Sequence, residues 1–294
     1  MIKVILDYDG TLTAEEKQVN ELAQKSIRTL SSEIVKAPVA EIQEEYLATQ
    51  KLLLAEPHRF WWEVNGLVAS YCDEGAFILN TTTLQTMIQR NPSYKRAVAA
   101  FFTEPKYDPV ADCVNYLFHR NTRDLAPQFR EAAKDILIRL VSHPDFVPLV
   151  LTNSLADKVE TNLATIGITG IEVLADTRQY EMDPTWLVYF DHPRQGRIQI
   201  VEIDEKHRVD LRRPAYCEAL LRVAEGSRGV VVVADTFSLP GALPLMLGMS
   251  FMLLKTEYTP SWCEDFVRTH PRGEVLEDLS LLVEELGWWV MSDG

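Results

Sequence analysis

The chain has 294 residues, 47% of them hydrophobic and 24% charged, a composition that suits two packed domains and excludes a largely disordered polypeptide. Its formal net charge of −14 opposes binding to polyanions, so nucleic acid is not an expected partner. No apolar stretch approaches the roughly 18 to 20 uncharged residues of a membrane span, and Met1-Ile2-Lys3 leads straight into an apolar segment rather than a leader peptide, so the expected location is the cytoplasm.

The first segment, Ile2 to Leu6, is β-branched and aliphatic and stops abruptly at Asp7-Tyr8-Asp9-Gly10-Thr11-Leu12-Thr13, which reads as a buried strand ending in two carboxylates. Ligands of α/β folds bind outside the carboxyl ends of their strands. Two acids held this close repel, and a hard divalent cation such as Mg²⁺ relieves that repulsion. The period then changes. Ala14 to Val35 reads as a helix with Glu15 and Glu16 in its first turn. After Pro38 further helices are expected over Ala40 to about Ala55, Trp61 to Tyr71, Thr83 to Gln89, Tyr94 to Phe102 and Val110 to Arg120, with strand signals almost absent.

From Leu125 the pattern becomes α/β again. A helix over Pro127 to Leu140 precedes an apolar strand, Val147 to Leu151, that ends in Thr152-Asn153-Ser154, and Leu155 to Ile166 reads as the next helix. Trp186 to Phe190 and Arg197 to Val201, separated by Asp191-His192-Pro193, read as a β-hairpin arm within an extension over Ile171 to Val209. Arg212-Arg213-Pro214 precedes a helix over Ala215 to Val223. A third strand, Gly229 to Ala234, ends in Asp235, and Ser250 to Leu254 is a fourth. Strands alternating with helices imply a parallel sheet, so these polar ends converge on one edge. The fold class is therefore α/β, a Rossmann-like parallel sheet core with an inserted α-helical cap. Residues 1–14 and 128–294 form the core and residues 15–127 the cap.

Asp7-Tyr8-Asp9-Gly10-Thr11-Leu12 resembles the first signature of the haloacid dehalogenase (HAD) superfamily, in the form its phosphatase branch carries. Leu151-Thr152-Asn153-Ser154 is similar to the second signature, and Val231 to Asp235 to the fourth. A second acid that often follows the fourth signature has no counterpart here, where Thr236 to Pro240 intervene. No lysine matches the third signature cleanly; Arg213, with Arg212 close behind, is the choice for it.

The resemblance implies that Asp7 is the nucleophile and Asp9 the acid and base. It implies that Thr152, Asn153, Arg213 and Arg212 bind phosphate, and that Asp7, Asp9 (through its main-chain carbonyl) and Asp235 hold Mg²⁺. The expected activity is Mg²⁺-dependent hydrolysis of a small phosphorylated metabolite through an aspartyl-phosphate. A phosphomutase or other phosphotransferase, and a non-catalytic binding protein of the same fold, are the alternatives. Asp9 weighs against a dehalogenase, because halide needs no proton on leaving.

The inserted helices would govern substrate choice by covering the site. His58 to Trp62, Tyr71, Arg120 and Arg123 are candidate contacts there, with packing the commoner role for such aromatics. Cys72, Cys113, Cys217 and Cys263 show neither zinc nor disulfide spacing. Trp288-Trp289 suggests core or subunit contact, which is compatible with a homo-oligomer.

Overall fold

The computed structural model describes residues 1–292, with the backbone alone for 288–292; Trp288 and Trp289 thus lie outside the residues whose side chains are described. The elements in chain order begin with β1 (Ile2–Leu6), α1 (Val19–Thr29), α2 (Val39–Ala55), β2 (Trp61–Val64) and β3 (Leu67–Tyr71). There follow α3 (Ala76–Arg90), α4 (Pro92–Phe101), α5 (Pro109–Thr122), α6 (Ala133–Ser142), β4 (Phe146–Leu151), α7 (Ala156–Thr165) and β5 (Glu172–Leu174). The remainder comprises β6 (Phe190–His192), β7 (Gly196–Ile198), β8 (Ile200–Glu202), β9 (Arg208–Asp210), α8 (Pro214–Ala224), β10 (Gly229–Ala234), α9 (Ala242–Met246), β11 (Ser250–Leu254), α10 (Ser261–Thr269), β12 (Gly273–Leu276) and α11 (Leu282–Ser292).

Six strands form one parallel sheet in the order β12-β11-β10-β1-β4-β5. Both faces are covered, which is why the central strand β10 is a continuous apolar run rather than an alternating one. Along β10, Val230, Val232 and Ala234 pack with Tyr216, Leu220 and Val267 of α8 and α10. Val231 and Val233 face the other way, onto Ile136, Leu137, Val159 and Leu286 of α6, α7 and α11. Fully burying a valine or leucine is worth about 1.5–3 kcal/mol, so the two layers fix the sheet from both sides.

The segment between β1 and β4 carries its own core, in which Ile27, Ile42, Tyr46, Leu84, Met87 and Leu117 meet. It is not purely helical. The expected helix over Trp61 to Tyr71 is the antiparallel hairpin β2–β3. Asn65 and Gly66 turn it with φ of 54° and 74°, the left-handed pair that a two-residue hairpin needs and that Asn-Gly adopts with least strain. The register slips between Trp62 and Glu63, and there Gln85 of α3 supplies the missing partners. Its carbonyl accepts from Glu63 N and its amide donates to Glu63 O, both at 2.8 Å.

Other expected elements shift. The chain from Gln128 to Arg130 runs beside Leu12 to Ala14, with Ala14 N donating to Gln128 O and Arg130 N to Leu12 O, so α6 begins only at Ala133. The expected arm is two short hairpins, β6–β7 and β8–β9. No helix among the described residues is long and apolar enough to cross a membrane.

Candidate active site

Register brings the strand ends together. Leu6 lies level with Val233 on one side and Val150 on the other, so Asp7 emerges from the sheet beside Ala234-Asp235 and Leu151-Thr152. Asp7, Asp9, Thr152, Asn153 and Asp235 all line one pocket of about 80 Å³. The segment inserted between β1 and β4 supplies the facing wall, including Trp62, Phe77 and Phe118.

The turn after β1 is shaped by Gly10 and Thr11. Gly10 has φ of +80°, and a Cβ there would meet Asp235 Oδ2 at 2.1 Å, so both the backbone conformation and the space require glycine. Arg130 clamps the same turn through Gly10 O, at 3.0 Å from Nε, while its other face pairs with Glu16 at 3.1 Å. Arg130 was expected inside a helix and was not expected near the site.

Asp9 is held from the second strand end. The Ser154 hydroxyl donates to Asp9 Oδ2 at 2.6 Å, and Lys158 Nζ lies 3.0 Å from Ser154 Oγ and 3.6 Å from Asp9 Oδ1. Lys158 sits in the first turn of α7, and the first turn of a helix that follows a strand is at the catalytic edge of the sheet. That position was the available signal for it.

Thr152 Oγ1 accepts from Ser154 N at 3.1 Å, and Asn153 Oδ1 accepts from Gln179 N at 2.7 Å. Asn153 therefore draws the loop after β5 over the site, where Gln179 and Tyr180 line the pocket. The extension over 171–209, whose purpose the residues alone did not reveal, thus contributes part of the wall.

Neither arginine chosen for the third signature reaches the pocket. Arg213 is 1% exposed and donates to the carbonyls of Gln179 and Ala69, each at 2.6 Å, and of Asp210 at 3.3 Å. Burial pushes its guanidinium down to about 10. The Gln179 loop accepts its hydrogen bonds, and Ala69 belongs to β3, so Arg213 joins the inserted hairpin to the sheet. Arg212 forms a bidentate pair with Asp210 and also donates to Pro184 O. The only cation recorded against Asp9 among the described residues is Lys158.

Two acids outside the expected set complete the region. Glu15, expected in the first turn of a helix, is buried, lines the pocket and accepts from Phe77 N at 3.1 Å. It thus serves the N-terminal end of α3, where a negative charge is favoured. Glu74, 1% exposed, accepts from Ser70 Oγ and Tyr71 N at 2.9 Å with one oxygen and from Ser238 N at 2.7 Å with the other. It ties the inserted segment to the turn that follows Asp235.

Electrostatically the pocket is short of positive charge. Burial, then the charges of Asp235 and Asp9, push the Asp7 carboxyl well above the usual carboxylate range, with the Tyr8 amide and the Gln179 side chain acting in the opposite sense. Burial also raises Asp235 against the charge of Arg130, and raises Glu15 with help from Asp235. Among the described residues no three His, Cys, Asp or Glu side chains stand as a ready-made metal cage. The expected centre uses the Asp9 main-chain carbonyl, and the Asp9 side chain is engaged instead by Ser154 and Lys158, while Thr11 engages Asp235 Oδ1.

The parallel α/β core with its insertion has the fold of a solved structure described as a HAD-hydrolase. Among solved structures the chain is similar to YfnB from Bacillus subtilis, described as a HAD-hydrolase bound to magnesium, at 12% identity and a TM-score of 0.50 over 97% of each chain. It also aligns with a protein from Thermotoga maritima described as a beta-phosphoglucomutase, at 12% identity and a TM-score of 0.46 over 98% of this chain and 99% of that one. A 2-haloacid dehalogenase from Pseudomonas syringae pv. Tomato aligns at 18% identity and a TM-score of 0.45 over 98% of this chain and all of that one. No protein-family model and no curated protein matches the sequence.

Proposed function

We propose that the protein is a Mg²⁺-dependent phosphatase that hydrolyses a monoester of a small metabolite through an aspartyl-phosphate. The observation that carries this reading is the meeting of Asp7, Asp9, Thr152 and Asn153 in one pocket at the carboxyl edge of the sheet. An Asp7 oxygen attacks phosphorus while the ester P–O bond breaks. Asp9, aimed by Ser154 and Lys158, gives a proton to the departing alcohol oxygen. In the second half Asp9 takes a proton from water as that water attacks phosphorus, the bond to Asp7 breaks, and inorganic phosphate leaves. Thr152 and Asn153 stand where they can hold phosphoryl oxygens.

The donor set suits Mg²⁺, which uses one or two carboxylates together with water and substrate oxygens. Asp7 and Asp235 would hold it with the Asp9 main-chain carbonyl, and the mutual repulsion of these buried acids is what a cation removes. When bound, the ion neutralises charge on the transferring group. Asp9 argues for a leaving group that needs a proton, hence an ester rather than a halide.

The test is hydrolysis of p-nitrophenyl phosphate with and without Mg²⁺, by the wild type and by Asp7→Asn. Turnover that requires both Mg²⁺ and Asp7 is expected. Equal turnover by Asp7→Asn rejects the nucleophile, and no turnover of any phosphate ester favours a binding protein instead.

A further inference from the structure

The pocket lining is of two kinds. Asp7, Asp9, Glu15 and Asp235 contribute carboxyl groups; Trp62, Phe77, Ile78, Phe118, Tyr180 and Leu239 contribute aromatic and aliphatic surface. We infer that the substrate is a monoester whose alcohol is compact, uncharged and mainly apolar, with no second anionic group. This rests on the phosphatase reading above and deepens it.

Charge is the first argument. Among the described residues that line the pocket there is no lysine or arginine. Lys158 lies in the adjoining cleft, engaged with Ser154 and Asp9. Arg213 and Arg212 are bound to Gln179, Ala69 and Asp210. Lys106 and Arg178 pair with Glu181. His119 lines the pocket, and burial together with Lys158 lowers its affinity for a proton, so it is a neutral hydrogen-bonding group at pH 7. A carboxylate or second phosphate on the substrate would be stripped of water beside Trp62 and Phe118, with no side-chain cation in the lining to receive it.

Hydrogen-bonding capacity is the second argument. Apart from the acids and the phosphate-binding pair, the polar lining comprises Thr81, Asn115, His119, Gln179, Thr236 and the Tyr180 hydroxyl, and Gln179 is engaged with Asn153 and Leu151. A polyhydroxylated sugar would leave hydroxyls unpaired against the aromatic wall, each at a cost. Size is the third. The cavity of about 80 Å³ is smaller than the ~150 Å³ cavity that accepts benzene and must take the phosphoryl group as well, so a compact alcohol is favoured. Trp62 stacks on Tyr180 at 5.2 Å between centroids, which gives the wall a defined aromatic face.

The test compares kcat/KM, with Mg²⁺ present, for butyl phosphate, 2-phosphoglycolate and glucose 6-phosphate, all esters of poor alkyl leaving groups. Butyl phosphate is expected to lead by at least about 100-fold. Asn115→Arg is expected to raise 2-phosphoglycolate relative to butyl phosphate at least about 10-fold, and Trp62→Ala to raise the KM for butyl phosphate more than it changes kcat. A lead for 2-phosphoglycolate or glucose 6-phosphate in the wild type overturns the inference. Should no ester turn over, the phosphatase reading fails on its own. Calorimetry with butylphosphonate and phosphonoacetate then decides the pocket: tighter butylphosphonate upholds its selectivity, and equal or tighter phosphonoacetate overturns it.

Discussion

Thr11 and Asp235 hold each other from both directions: the Asp235 main-chain N–H donates to Thr11 Oγ1 at 3.0 Å, and the Thr11 hydroxyl lies 3.2 Å from Asp235 Oδ1. Residues 224 positions apart are thereby joined across β1 and β10, and the carboxylate is fixed over Gly10, where only a glycine leaves room. Thr11 is fully buried, so removing its hydroxyl orphans a buried N–H. Thr11→Val is expected to lower stability by about 1–3 kcal/mol, read as a shift in the urea midpoint at constant m. Thr11→Ser, which keeps the oxygen, should recover most of it. An unchanged midpoint for Thr11→Val means that this link does not support the fold.

Arg213, the choice for the third signature, is bound to buried carbonyls, whereas Lys158, which the sequence reading gave no part, lies beside Asp9. Arg213→Ala leaves three buried carbonyls without their donor and is expected to destabilise by about 3 kcal/mol. Lys158 is partly exposed and acts on Asp9, so Lys158→Met should lower kcat about 10- to 100-fold with little change in the denaturant midpoint. Lys158→Arg should restore part of the rate. The reverse pattern, with an unstable Lys158→Met and a stable but inactive Arg213→Ala, returns the third-signature role to Arg213.

These residues also mark what a sequence can and cannot convey. The sheet was legible because β1, β4, β10 and β11 are long apolar runs that stop at polar residues, and a doubly covered parallel strand has no other pattern. The convergence of Asp7, Thr152 and Asp235 followed from that topology. Trp61 to Tyr71 was misread because aromatic and aliphatic residues there satisfy a helical spacing loosely, while Asn65-Gly66, the local turn signal, outweighs it once both residues take positive φ. Arg213 could not be placed from its neighbours in sequence. Its partners are carbonyls at positions 69, 179 and 210, and any carbonyl looks the same in a sequence. Glu15 was hidden for a similar reason, since what buries it is the start of α3, about 60 residues further along.

Metal binding gives a readout independent of turnover. A ligand that binds only the folded state stabilises it by about 2.7 kcal/mol at 100 times its dissociation constant. Millimolar Mg²⁺ is therefore expected to raise the melting temperature of the wild type and EDTA to cancel the rise. Asp235→Asn, which keeps a side-chain oxygen near Thr11 but removes the charge, should abolish most of that response. A full response in Asp235→Asn would place the ion elsewhere.

Asp73, at the junction of β3 and α3, gives a dependence on pH that does not involve the catalytic acids. Burial, and next the charge of Glu74, raise its carboxyl to about 6, and its Oδ1 has no hydrogen-bond partner. In the unfolded chain the same group titrates near ~3.9. Because the folded value is the higher one, the contribution of this group to stability is fully present below about pH 4 and is lost as pH rises through about 6. Two units correspond to about 3 kcal/mol, which partial access to solvent reduces to the order of 1–2 kcal/mol. Asp73→Asn removes the titration and keeps the shape. It is expected to be more stable than the wild type by that amount at pH 8, with the difference closing as the pH is taken down towards 4.5. Urea denaturation of both proteins at the two pH values decides the matter: a gap of equal size at each would show that packing at this junction, rather than the charge of Asp73, sets the difference.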